Sequence, residues 1–383
     1  MRILQLNDYG VRLGGAEQYY FAISAELRRQ GHEVLTVSSN HQRDSRLIES
    51  DCQLTESGHC FNIDHLFNPL AYYQLKQILR AFRPNVVHAH NLFYRLSPSV
   101  AFACSNIASC LTLHDYQAIC FGDKRLTNGS ICTAAFNCCS EGCHSRQLSL
   151  FDRLRLRLSQ AALKRMDLLI APSQYVESEF RRNAFDAIRH IPHPRAYADT
   201  VVDSDSLRQD FVYVGRLAEQ KGLQFLLDAF LSLEPSVPCL HLIGDGPERA
   251  NLELKVKQAQ AQERVVFHGY LDASQRAAVV KKCIATVIPS LWPENSPLVI
   301  PESSLLATPC IVSQVGGLPE LVRDQETGVV VKPANVEALK EALSSAQNNT
   351  DLMRMMGRKA QAEAQSYSLE QHVKELLDTY SQL

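Results

Sequence analysis

Short strand-like runs alternate with longer stretches of helical periodicity along this chain, and the alternation happens twice. Arg2–Leu6, Glu33–Ser38, Val86–Ala89, Cys110–Leu113 and Leu168–Ala171 read as strands, with a helix over Gly14–Arg29 stopped by Gly31. Apolar strands separated by helical crossovers are the pattern of a parallel sheet covered on both faces. After the irregular stretch HPRAYADT the rhythm restarts with Phe211–Val214, Cys239–Ile243, Val265–His268, Ile284–Ile288, Cys310–Ser313 and Val329–Val331. The chain of 383 residues is long for one core and suits two. The expected fold class is α/β, with two doubly wound, Rossmann-like domains in tandem and a linker near residues 193–208. The end of the chain, Ser368–Leu383, is amphipathic. Its Leu369, Val373, Leu376, Leu377 and Tyr380 share one helical face.

Composition narrows the function. A formal net charge of -2 gives no general attraction to nucleic acid. No run of apolar residues is long enough to span a bilayer. The opening MRILQLNDYG reads as a first strand, not a signal peptide, so a cytoplasmic location is expected.

In open α/β sheets, ligands sit outside the carboxyl ends of strands, and the chemically capable residues fall there. YVGRLAEQKG sets Arg216 and Lys221 beside Gly215 and Gly222. A forked cation and a mobile one suit a diphosphate; two solvated surface cations would look the same. GDGPE, 244–248, closes the next strand as a turn. PENSPLVIPE then places Glu294 and Glu302 around Asn295, Ser296, Pro297 and Leu298. Asn295 and Ser296 are natural helix caps and Pro297 suits a first helical position, which predicts a helix over Leu298–Leu306. Its N-terminus would receive a phosphate, and Glu302 could accept the two hydroxyls of a ribose. Both glutamates could instead merely complement the helix dipole. In the first half, GGAEQYY places Gly14 and Gly15 at a helix start, where backbone can approach a phosphate. LTLHDY ends another strand with His114, which could bond a sugar hydroxyl or be structural.

Taken in order, GGAE, HDY, GRLAEQKG, GDGP, the paired glutamates and GGLPELV resemble the retaining nucleotide-sugar glycosyltransferases of family 4, which have the GT-B fold. The resemblance runs over nearly the whole chain. It implies an acceptor-binding domain over residues 1–195 and a nucleotide-sugar-binding domain over 205–366, facing across a cleft. A terminal helix, 367–383, would cross back onto the first domain. It also implies transfer with retention of configuration and no metal or other cofactor for the transfer step. By the same resemblance the donor would be a nucleoside-diphosphate sugar and the acceptor a glycan or lipid-linked molecule, in surface polysaccharide synthesis. Arg216 and Lys221 would neutralise the diphosphate and Glu302 would hold the ribose. Glu294 and the Asn295–Leu298 turn would contact the sugar, as would His114, and Gly14 and Gly15 the phosphates. The alternative from another class is a catalytically silent nucleotide-sugar-binding subunit. The Asn-Ser-Pro-Leu turn departs from the family's commonest form and leaves the donor open.

Two features stand outside this set. Seven of the twelve cysteines lie between Cys104 and Cys143. In the insert over 120–144, Cys120, Cys132, Cys138 or Cys139, and Cys143 could supply four thiolates to a structural zinc. An iron–sulfur site, disulfides or free thiols are the other readings. Beyond it, Ser145–Asp167 reads as a basic helix, with Phe151, Leu154, Leu158, Ala161 or Ala162, and Arg165 along one side. Its basic stretch, 146–165, is either a solvated helix packed on the first sheet or a peripheral contact with anionic lipid at the inner face of the cell membrane.

Overall fold

The computed structural model describes residues 1–40, 49–56, 63–120, 126–127, 130–132, 150–195, 208–234 and 238–383. The chain divides into two compact units. One comprises Met1–Asn128, Cys132–His193 and Leu369–Leu383; the other comprises Gly129–Ile131 and Pro194–Ser368.

The first unit carries β1 (Arg2–Asn7), α1 (Gly15–Arg29), β2 (Glu33–Ser39), β3 (Cys52–Leu54), α2 (Pro69–Phe82), β4 (Val86–Ala89), α3 (Pro98–Ala103) and β5 (Ala108–Thr112). After the two-residue strand β6 (Leu126–Thr127) come α4 (Leu150–Leu163), β8 (Leu168–Ala171), α5 (Gln174–Arg182) and β9 (Ile188–His190), while the two-residue β7 (Ser130–Ile131) groups with the second unit. Its sheet has the order β3-β2-β1-β4-β5-β8-β9 and is parallel throughout. Leu4 pairs with Leu35 on one side and Val87 on the other. The strand order reverses at β1 and β4, which is where a doubly wound sheet opens a crevice for ligands.

The second unit repeats the plan with β10 (Asp210–Val214), α6 (Leu223–Leu231), β11 (Leu240–Ile243), α7 (Arg249–Gln258), β12 (Val265–Gly269) and α8 (Ala273–Val280). It continues with β13 (Cys283–Ile288), α9 (Val299–Leu305), β14 (Cys310–Ser313), α10 (Leu318–Leu321), β15 (Gly328–Val331), α11 (Val336–Asn348) and α12 (Thr350–Gln365). The sheet order is β12-β11-β10-β13-β14-β15, again parallel, with the reversal between β10 and β13.

The last helix, α13 (Leu369–Tyr380), returns to the first unit. Alternation along β1 sends Leu4 and Leu6 into one core and Ile3 into the other. That second core is closed by Tyr19, Ile23 and Leu27 of α1 and by Val373, Leu376 and Tyr380 of α13. Each fully buried side chain of this size stabilises the fold by about 1.5–3 kcal/mol. The amphipathic face read from the sequence is therefore the one that docks.

Three local expectations change. β5 begins two residues before the expected Cys110 and ends at Thr112. The helix expected over Leu298–Leu306 is α9, which begins at Val299. Its cap is Leu298, without a side-chain hydrogen bond, so Asn295 and Ser296 do not cap it and Pro297 is not its first residue. On α4 the buried residues are Asp152, Ser159, Gln160, Ala162 and Leu163, whereas Leu154 is exposed. Leucines spaced through that helix offer two faces. The inward one is chosen where Gln160 can donate to the carbonyl of Ala118, at 3.0 Å.

Candidate functional site

The carboxyl edge of the second sheet brings Lys221 and Glu294 together, with Arg216 on the same connection as Lys221. After β10 the chain turns through Gly215, and the Tyr213 hydroxyl donates to the carbonyl of Arg216 at 2.8 Å. The GDGP turn backs this loop, with the N–H of Leu217 donating to the Asp245 carbonyl at 2.9 Å. The Arg216 side chain is exposed and makes no ion pair among the described residues. Lys221 closes the short helical turn that follows, and Gly222 adopts φ +70. A Cβ there would lie 2.0 Å from the carbonyl oxygen of Pro289, so only glycine lets the two loops meet.

That approach brings Lys221 to the glutamate loop. Lys221 Nζ lies 2.7 Å from Glu294 Oε1, and Ser290 donates to the same oxygen at 2.6 Å. The ammonium also stands 5.0 Å from the centre of the Trp292 ring. Glu294 is 5% exposed. Its backbone is gripped from the other side: Gly317 N–H donates to its carbonyl at 2.7 Å, and at Gly316, φ +56, a Cβ would sit 2.4 Å from that carbonyl oxygen. Sequence spacing alone gave Lys221 and Glu294 separate tasks; the fold joins them in one ion pair.

Beside the pair, Asn295 is buried with both its amide oxygen and nitrogen lacking a hydrogen-bond partner, and the indole N–H of Trp292 is in the same condition. These atoms are left free to take a further partner. Ser296, Pro297 and Leu298 are half-buried on the turn into α9. Glu302, on α9, pairs with Arg276 of α8 at 3.0 Å.

The carboxyl edge of the first sheet holds a buried histidine network. Gln5 Oε1 accepts from His90 Nε2 at 2.8 Å, and His90 Nδ1 lies 3.1 Å from His114 Nε2. Because the amide oxygen only accepts, neutral His90 leaves Nδ1 as a lone pair, His114 must donate through Nε2, and His114 Nδ1 is left as an acceptor. Burial pushes His114 down to about 3, and His88 and His372 likewise. His193 stacks on His114 at 5.4 Å, and its own Nδ1 is buried without a partner. Tyr19 packs edge-on or tilted against His90, His114, His193 and His372 and shares a hydrogen bond of 2.7 Å with His372 Nε2. Gly14 and Gly15 are exposed at the start of α1. Behind them the buried carboxyl of Glu17 is raised above its ordinary range by burial. Asp8 is buried too and accepts the N–H groups of Tyr94, Arg95 and Leu96.

Sequence reasoning missed Arg276, Trp292, Ser290, His90, His193, Asp8 and Glu17. Asp8, His90 and Ser290 each stand one or two residues past the end of a strand, which is the signal the sequence offers for them. Of the four thiolates considered for zinc, Cys120 and Cys132 are half-buried, while Cys139 and Cys143 lie outside the described residues, as do Cys138 and residues 146–149 of the basic stretch. Among the described residues no group of three or more His, Cys, Asp or Glu is arranged to hold a metal. No helix among them is long and apolar enough to cross a membrane.

Two parallel doubly wound sheets in one chain are the architecture of GT-B glycosyltransferases. The comparisons give the class directly. Residues 13–195 match the family described as Glycosyltransferase Family 4, and residues 201–363 match Glycosyl transferases group 1. The chain belongs with these group 1/family 4 glycosyltransferases. It is 26% identical over 378 residues to the glycogen synthase of Mycobacterium tuberculosis, covering 90% of this chain and 86% of that one. It is 27% identical over 197 residues to the alpha-D-kanosaminyltransferase of Streptomyces kanamyceticus, which covers 49% of this chain and about half, 51%, of that protein. Among solved structures, Anabaena Alr3699/HepE in complex with UDP-glucose superposes with a TM-score of 0.75 at 18% identity, over 100% of both chains.

Proposed function

We propose that this glycosyltransferase moves a hexose from a nucleoside-diphosphate sugar to a glycan or lipid-linked acceptor, with retention of configuration, in surface polysaccharide synthesis. The observation that carries the reading is the exposed, unpaired Arg216 on the same loop as the Lys221–Glu294 pair. The UDP-glucose complex of the Anabaena protein supports a donor of this class.

Cleaving the bond between the anomeric carbon and the phosphate builds negative charge on the departing diphosphate. Arg216 meets that charge without first giving up a partner. Lys221 meets it from a position fixed by Glu294, so little reorganisation is needed when the charge appears. Glu302 accepts the ribose hydroxyls. Asn295, with an unsatisfied donor and acceptor, takes hydroxyls of the transferred sugar, and His114 Nδ1 accepts from another. The acceptor hydroxyl attacks the anomeric carbon from the face the phosphate leaves, and its proton passes to the departing phosphate oxygen. No metal takes part in that step. Screening UDP-, GDP- and ADP-sugars for turnover tests the reading; no turnover of any of them with a range of glycan acceptors removes it in favour of a silent binding subunit.

A peripheral membrane contact is favoured by one observation on α4. Leu150 and Leu154 are 84% and 44% exposed, on a helix that also exposes Arg153 and Arg157. Co-sedimentation with anionic vesicles at low salt is the test. Any zinc on Cys120, Cys132, Cys139 and Cys143 would be structural, and elemental analysis of the purified chain decides its presence.

A further inference from the structure

Arg276 points inward from α8 while its neighbours Ser274, Gln275 and Ala278 are exposed. The start of its helix is fixed by a capping box, in which Asp272 accepts from Gln275 N–H and the Gln275 side chain accepts from Asp272 N–H. From that anchored first turn Arg276 reaches across to α9 and holds Glu302 Oε2 at 3.0 Å. Both side chains keep partial contact with water, 21% and 27% exposed. An ion pair so placed contributes little to stability, about 0–1 kcal/mol. What a guanidinium does there better than water is fix the plane of a carboxylate.

We propose that Arg276 is a positioning residue for the nucleoside half of the donor: it orients the Glu302 carboxylate so that it accepts the ribose hydroxyls. The proposal rests on the ribose role given to Glu302 above. It adds that this chain's preference for a ribonucleotide over a deoxyribonucleotide is set from α8, by a residue that does not itself touch the sugar.

The test is calorimetric titration of the full chain with UDP, GDP and ADP and with their 2′-deoxy forms. The wild-type chain should bind the preferred ribonucleotide about 10–100-fold more tightly than its deoxy form, the loss expected when a charged acceptor loses its hydroxyl. Arg276→Ala should collapse that ratio to about threefold or less, and Arg276→Lys should restore part of it. Loosening of the fold alone would weaken both ligands equally and leave the ratio unchanged. Where Arg276→Ala fails to fold, Arg276→Gln, of similar length and uncharged, takes its place. A large wild-type ratio that survives in the variant overturns the positioning role alone. A wild-type ratio near one overturns the ribose role of Glu302, and this inference with it.

Discussion

Lys221 and Glu294 form an ion pair of 2.7 Å at the carboxyl edge of the second sheet, with Ser290 as a third partner. Glu294 is almost wholly buried, so the pair is both a structural and an electrostatic unit. The cation proposed to meet the diphosphate is thus held by a glutamate of the loop that leads into α9.

Removing the cation should therefore do two things. Lys221→Ala strands a buried carboxylate and should destabilise the second unit by about 3 kcal/mol. It should also lower kcat/KM by about 10²–10³-fold through lost stabilisation of the leaving group. Chemical denaturation and steady-state kinetics separate the two. Lys221→Arg should not restore full activity, because the fork cannot occupy the site of a compact ammonium.

Arg216 offers the contrasting case. It is exposed and unpaired among the described residues, so Arg216→Ala should leave stability within about 0.5 kcal/mol of wild type. Turnover of the donor should fall by at least about 10²-fold. A stable variant with wild-type kinetics would remove Arg216 from the mechanism.

Gly316 supports the glutamate from below. Gly316→Ala places a methyl against the Glu294 carbonyl at a φ of +56. Strain and overlap together should cost about 2 kcal/mol or more. The matched control is Gly31→Ala, also at positive φ but with nothing within 4 Å of the added carbon; it should cost less.

The histidine network sets the acid limit of the first unit. His88, His114 and His372 are pushed down to about 3 by burial, and His90 and His193 fall well below 6.5 for the same cause. Below about pH 6.5 the unfolded histidines bind protons that the folded ones refuse. The histidines' contribution to stability is thus fully present above that pH and is lost as pH falls towards 3, each contributing up to about 1.4 kcal/mol per pH unit. Thermal midpoints at about pH 7.5 and pH 5.5 should show the drop, and His88→Gln should make it shallower.

Much of this was legible in the sequence because strands β1, β4, β8, β10 and β13 are apolar runs with turn residues at their ends. The same logic singles out Arg216, Lys221, Glu294 and Glu302 as candidates, since ligands gather where such strands stop. Other features were not legible. Strands β3 and β9 are three residues each and carry Gln53 and Arg189, so neither stands out. α9 starts at Val299, after a turn whose Glu294 carbonyl accepts from Gly317 N–H, a long-range contact that no local capping rule contains. Arg276 meets Glu302 only because α8 and α9 are neighbours in the folded sheet layer, and His193 meets His114 only through the strand order β5-β8-β9.

We propose that the carboxyl edge of the second sheet binds a nucleoside-diphosphate sugar through Arg216 and Lys221. Calorimetric titration of the wild-type chain and Arg216→Ala with UDP-, GDP- and ADP-sugars tests it most directly. One of these donors should bind the wild-type chain saturably, and the variant about 10-fold or more weakly. No binding of any donor, or equal binding by both proteins, would contradict it.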